Sequence, residues 1–270
     1  MSNSFQYADE AKRRQLLHLA KAHGTPLYVY DEAVIRRQYR RLRSAFDSEV
    51  NLALHYAAKA LSNPHILALM RELGAGLDAV SIEEVKLGLH AGFEPEKILF
   101  TPNNVGMDEL NEAVALGVQI NIDNIPMLEL FAQSHPDYPI GIRINPHVQA
   151  GGNARISVGH VDSKFGISIH QLPHLLKLIA ALDIRIEGLH MHAGSDILDT
   201  EAFLRASEII FNTAEHFKDL RYLDFGSGFK VPYHPADMET EIEELGCLLS
   251  TRFRTFCEKR EKEMQLIFEP

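Results

Sequence analysis

From residue 51 onward, short apolar runs alternate with longer stretches whose apolar residues recur at helical spacing. That alternation is the pattern of βα units around a parallel sheet. The predicted strands are NLALHYA (51–57), GLDAV (76–80), ILF (98–100), VQINI (118–122), PIGIRIN (139–145), IRIEGLHMH (184–192), YLDFG (222–226) and MQLIFE (264–269). Eight such runs match the (β/α)8 TIM-type barrel, whose active site forms at the carboxyl ends of the strands. A doubly wound open sheet needs a glycine-rich phosphate turn after its first strand. Here that strand runs into AKALSNP, which has no glycine.

Between the runs, Ser81 has the residue type and spacing to cap a helix, with Glu84 completing a capping box and Gly92 stopping it. Asp31 opens a second amphipathic stretch, DEAVIRRQYRRLRSAF, whose charges read most simply as a solvated face. TPLYVYD (25–31) is strand-like but precedes the barrel, so it is expected to pair outside it. QAGGNARISVGHVDSKFG (149–166) is rich in turn formers and reads as a large loop on the active face.

Charge and composition narrow the functional classes. With 37 acidic and 27 basic residues the net charge is -10, which argues against a nucleic-acid partner. The two cysteines, Cys247 and Cys257, form no CxxC pair, and the 14 histidines include no HExxH, so neither a disulfide framework nor a metal site is expected. No apolar leader opens the chain, and no run reaches the roughly 18 apolar residues that cross a bilayer. A cytoplasmic protein without a membrane partner is the expectation.

If the barrel forms, the strand ends nominate the chemistry. Lys59 follows the first strand among small apolar neighbours that would lower its pKa, as an imine-forming lysine requires; a snorkelling surface lysine has the same signature. Gly226, Ser227 and Gly228 follow the seventh strand, where barrels bind phosphate through backbone N–H groups, or they form an ordinary tight turn. Asp78 and Glu269 are carboxylates fit to hold a cationic ring nitrogen or an ammonium, or equally are structural ion-pair partners. His190 and His192 on the sixth strand are expected to face opposite ways, so that only one enters a site. Arg143 and Asn145 end the fifth strand, and Gly194 with Ser195 offer a second anion-binding turn.

The strings YAAKA, GAGLDAVSIEE, RINP, SKFGI, HMHAGS, DFGSGF and IFEP occur in the order and spacing of the fold-type III, alanine-racemase-like pyridoxal-phosphate decarboxylases, and the chain most resembles their diaminopimelate decarboxylase branch. This resemblance implies an alanine-racemase-like barrel over residues 31–270, with residues 1–30 supplying an extension and a strand for a β-domain. It also implies pyridoxal 5′-phosphate held by Lys59 as a Schiff base, with Asp78 nearby. His192 would stack on the ring, Ser195 and Gly226–Gly228 would hold the phosphate, and Glu269 would face the pyridine nitrogen. Arg143 and Asn145 would meet the substrate.

The implied reaction converts meso-2,6-diaminopimelate to L-lysine and carbon dioxide, on a homodimer in the complete protein. Decarboxylation of ornithine, arginine or carboxynorspermidine, or a non-catalytic pyridoxal-phosphate carrier barrel, are the alternatives. Three departures qualify the likeness. GSG stands where many relatives have GGG, and TPNNVG replaces a glycine-asparagine-lysine turn, which leaves Asn103 and Asn104 without an assigned role. The family's glutamate-proline-glycine-arginine run breaks off at Glu269 and Pro270. An incomplete form lacking the C-terminal β-domain, weakly active or inactive by itself, is therefore expected.

Overall fold

The computed structural model describes residues 9–148, 164–234 and 236–270. Its strands are β1 (Leu52–Ala57), β2 (Gly76–Ala79), β3 (Ile98–Phe100), β4 (Gln119–Ile122), β5 (Ile140–Asn145), a two-residue β6 (Ile167–Ser168), β7 (Ile186–His190), β8 (Tyr222–Asp224) and β9 (Gln265–Phe268). Every pairing is parallel, and the order β1-β2-β3-β4-β5-β7-β8-β9 closes because β9 pairs back onto β1, Leu54 opposite Phe268. The eight expected strands are thus the staves of a closed (β/α)8 barrel. The sequence did not announce β6, a short addition outside β5.

Helices α1 (Glu10–His23) and α2 (Glu32–Ser44) precede the barrel, and α3 (Pro64–Glu72), α4 (Ile82–His90), α5 (Met107–Leu116), α6 (Ile125–Ser134), α7 (Leu172–Leu182), α8 (Thr200–Ala214) and α9 (Ile242–Lys259) surround it. The caps on α4 form as expected. Ser81 Oγ accepts from Glu84 N at 3.2 Å, and the Glu84 carboxylate reaches one residue further back, to Val80 N. Phe93 N donates to Gly88 O with Gly92 at φ 89, a Schellman stop that glycine makes without strain.

Two apolar cores result from the strands' period of two. Outward-facing residues and the helices make the larger one, in which Phe268 meets Phe46, Phe203, Phe225 and Phe229 at centroid distances of 4.9–6.3 Å. Inside the barrel a smaller core joins Leu99, Tyr222 and Ile267. Tyr222 crosses the lumen to donate to Asn121 Oδ1 at 2.9 Å, and Gly188 makes the crossing possible, since a Cβ there would sit 1.9 Å from the ring.

Residues 27–30 adopt no strand and pair with nothing among the described residues; Leu27, Tyr28, Val29 and Tyr30 are all exposed. The basic face of α2 is ion-paired rather than merely solvated, because Arg41 reaches Glu239 at 2.9 Å and Glu243 at 2.7 Å beside α9. No helix among the described residues is long and apolar enough to cross a membrane.

Candidate active site

Parallel closure brings all carboxyl ends to one face, so residues far apart in sequence line a single cavity of about 390 Å³. Its walls include Lys59, Asp78, Arg143, His190, His192 and Glu269. A single 3-10 turn, Ala58–Ala60, follows β1 and leaves the Lys59 side chain 54% exposed at the cavity. Lys59 Nζ donates to Asp78 Oδ2 at 2.9 Å, and the Asp78 carboxyl is buried on β2 with Oδ1 unpartnered.

The expected depression of the Lys59 pKa does not occur. Burial does push the amine down, but Asp78 and Glu269 more than offset it, and the ammonium is favoured. Their charges were invisible in the local sequence, where Lys59 is flanked by alanines. Asp78 responds in the opposite direction: burial first, then Glu269, push its carboxyl up to about 7 against the pull of Lys59.

His190 and His192 both line the cavity, which corrects the expectation of opposite faces: side chains alternate at every residue, so positions two apart on a strand share a face. Met191, between them, points the other way and is buried in the outer core. Burial, reinforced by Arg143, lowers His192 to about 3 and leaves an uncharged ring whose Nδ1 accepts from Ser227 N at 3.5 Å. His190 lies 3.4 Å from Glu269 Oε2. Burial raises the Glu269 carboxyl, but His190, Asp224 and Lys59 outweigh it and hold the group below the usual carboxylate range. Glu269 Oε1 is buried without a partner.

Behind this wall the two glycine turns interlock. Ile197 N donates to Gly228 O at 2.9 Å, and a Cβ on Gly228 would meet Gly194 O at 1.9 Å, so Ser195 and the Gly226–Gly228 turn lie side by side. Arg143 is buried, its guanidinium 4.7 Å from the Phe165 ring centroid. Asn145, by contrast, turns its Oδ1 to His147 N at 2.9 Å and is not among the cavity-lining residues. The loop over residues 149–163, which includes Ser163 of SKFGI and the glycines at 151 and 152, lies outside the described residues.

Reasoning from sequence missed Asp224, which is wholly buried with Oδ1 accepting from Gly226 N at 2.9 Å. Asn103, left without a role, lines the cavity and donates to Asp123. The only available signal for Asp224 was its place two residues before the GSG turn. Fitness for pyridoxal phosphate can be judged from the chain: a primary amine and an unpartnered buried carboxylate oxygen share one cavity, beside turns too tight for a Cβ. The residues fit the group.

Comparison with known proteins agrees. Residues 32–270 match the family model "Pyridoxal-dependent decarboxylase, pyridoxal binding domain". The chain is 37% identical over 245 residues to diaminopimelate decarboxylase of Methanothermobacter thermautotrophicus, covering 88% of this chain and 57% of that one. The Streptomyces coelicolor enzyme of the same name is 34% identical, covering 95% and 58%. Among solved structures, diaminopimelate decarboxylase from Helicobacter pylori complexed with L-lysine superposes with a TM-score of 0.82 at 29% identity, covering 94% of this chain and 65% of that one. Lysine/ornithine decarboxylase complexed with putrescine from Vibrio vulnificus gives 0.80 at 25%, covering 96% and 67%. The chain therefore spans little more than half the length of the curated relatives it matches.

Proposed function

The chain belongs to the pyridoxal-dependent decarboxylase family, and from that premise we propose that it is the cofactor-holding barrel of an enzyme that decarboxylates meso-2,6-diaminopimelate to L-lysine. The observation that carries this reading is the placement of Lys59, Asp78, His192 and Glu269 around one cavity. Lys59 would hold pyridoxal phosphate through Nζ, Glu269 would face the ring nitrogen, and the flat, uncharged His192 would lie against the ring. Ser195 and the backbone of Gly226–Gly228 would take the phosphate. When bound, the cofactor supplies an electron sink for the carbanion left as carbon dioxide departs.

The chain's own groups manage protons and charge. Asp78 Oδ2, at 2.9 Å, is the acceptor within reach of the Lys59 proton, which must leave before the amine can act as a nucleophile. An Asp78 carboxyl displaced to about 7 is matched to taking and returning that proton near neutrality. Glu269 offers Oε1 as an unsatisfied acceptor and remains ionised despite burial. The Arg143 guanidinium, with Lys164 in the same wall, is a cation that would receive an anionic substrate group. Asn145 would act only by shaping the adjoining segment through His147 N. Residues 1–30 would serve a β-domain, two copies would pair, and the setting would be cytoplasmic.

Reduction with borohydride after mixing with pyridoxal phosphate, followed by peptide mapping, should place the label on Lys59. Carbon-dioxide release from diaminopimelate, ornithine, lysine and arginine then fixes the substrate. Labelling elsewhere, or release only from another amino acid, overturns the corresponding part.

A further inference from the structure

Two carboxyl groups lie side by side where only one is needed to face a ring nitrogen. Asp224, ending β8, and Glu269, just beyond β9, are 0% and 6% exposed. With His190 of β7, their ligand-type atoms all lie within 4.8 Å of one another. Two ionised carboxylates so close in a water-poor interior repel strongly, so the pair retains one proton at neutral pH. The surroundings decide its place. His190 sits 3.4 Å from Glu269, and Lys59 and Arg143 also favour a charge there. Asp224 receives only the Gly226 N–H on Oδ1, while Oδ2 is buried without a partner. Its other ionisable neighbours are Asp78, Tyr222, whose hydroxyl is committed to Asn121, and Arg143, which Glu269 affects more strongly than Asp224 does.

We propose that Asp224 is a positioning residue: protonated on Oδ2, it donates to Glu269 while its Oδ1 fixes Gly226 N–H. One side chain thereby ties the carboxylate facing the cavity to the GSG turn. Bonds to the Glu269 main chain complete the tie, since Glu269 N donates to Gly226 O at 2.9 Å and the Ser227 hydroxyl donates to Glu269 O at 2.7 Å. The purpose of the coupling rests on the pyridoxal-phosphate reading above, whereas the location of the proton concerns the chain alone.

Infrared spectroscopy of the cofactor-free 270-residue chain tests it, at about pH 9, above the titration of Asp78. A protonated-carboxyl carbonyl band is expected in the wild type, lost in Asp224→Asn and retained in Asp78→Asn. Alongside, Asp224→Ala should weaken binding of pyridoxal phosphate by roughly tenfold or more, and Asp224→Asn should restore most of it, because the amide again presents an acceptor to Gly226 and a donor to Glu269. No band in the wild type, a band that survives Asp224→Asn, or an asparagine variant that binds as poorly as the alanine variant overturns the proposal. Should Lys59 escape labelling while the band behaves as expected, the functional reading fails and the proton assignment stands.

Discussion

Asp78 Oδ2 lies 2.9 Å from Lys59 Nζ and, together with Glu269, reverses what burial alone does to that amine. Replacing Asp78 by asparagine keeps a hydrogen-bond acceptor but removes the charge, so burial regains control. The Lys59 pKa should then fall, read from the pH dependence of its competitive acylation, by mass spectrometry, in the cofactor-free chain. An unmoved midpoint would show that Asp78 does not govern the amine.

His55 supplies a test in pH and stability. Burial, chiefly, depresses its ring from 6.5 to about 4, with Glu269 opposing and Lys97 assisting, and Nδ1 has no partner. A base depressed in the folded state contributes stability that is present above the unfolded pKa of 6.5 and lost as pH falls toward about 4. The full loss is on the order of 3 kcal/mol. Urea titrations between pH 7 and 4 should show His55→Gln falling less steeply than wild type; parallel curves refute the assignment.

At Gly228 both conformation and space exclude a side chain. Its φ is 99, and an added Cβ would meet the Gly194 carbonyl, which is backbone and cannot swing aside. Gly228→Ala should cost about 2 kcal/mol or more in chemical denaturation and weaken pyridoxal-phosphate binding. An alanine variant with wild-type stability and affinity would remove this turn from the site.

Phe268 anchors the outer core one residue before Glu269. Phe268→Ala leaves Phe46, Phe203, Phe225 and Phe229 facing a void and should lower stability by about 3–5 kcal/mol. Phe268→Leu should cost less than half of that. Equal losses in both variants would point to ring geometry, not filled volume.

The strands were legible because each presents a short apolar run, and all eight barrel strands fall within the predicted windows. Two-residue β6 is too short to show any period, and residues 27–30 have strand composition but form no strand among the described residues. The place of Lys59 in the cavity was legible from its position after the first strand, but the direction of its pKa shift was not, because Asp78 and Glu269 meet it only after the barrel closes. His190 and His192 share the cavity because residues two apart on a strand point the same way, a period that the expectation of opposite faces misapplied. Asp224 was hidden because its significance comes from adjacency to Glu269 across the β8–β9 pairing, which no local pattern records.

Closure of β9 on β1, with Ala57 N donating to Pro270 O at 3.2 Å, puts the ligand-facing ends of the earliest and latest staves next to each other. During synthesis, Lys59 therefore emerges long before the acid that faces the same chamber exists. Contacts of such sequence separation form slowly, after their closure entropy is overcome. A small molecule needing both groups can stabilise the finished ring but cannot template its early stages.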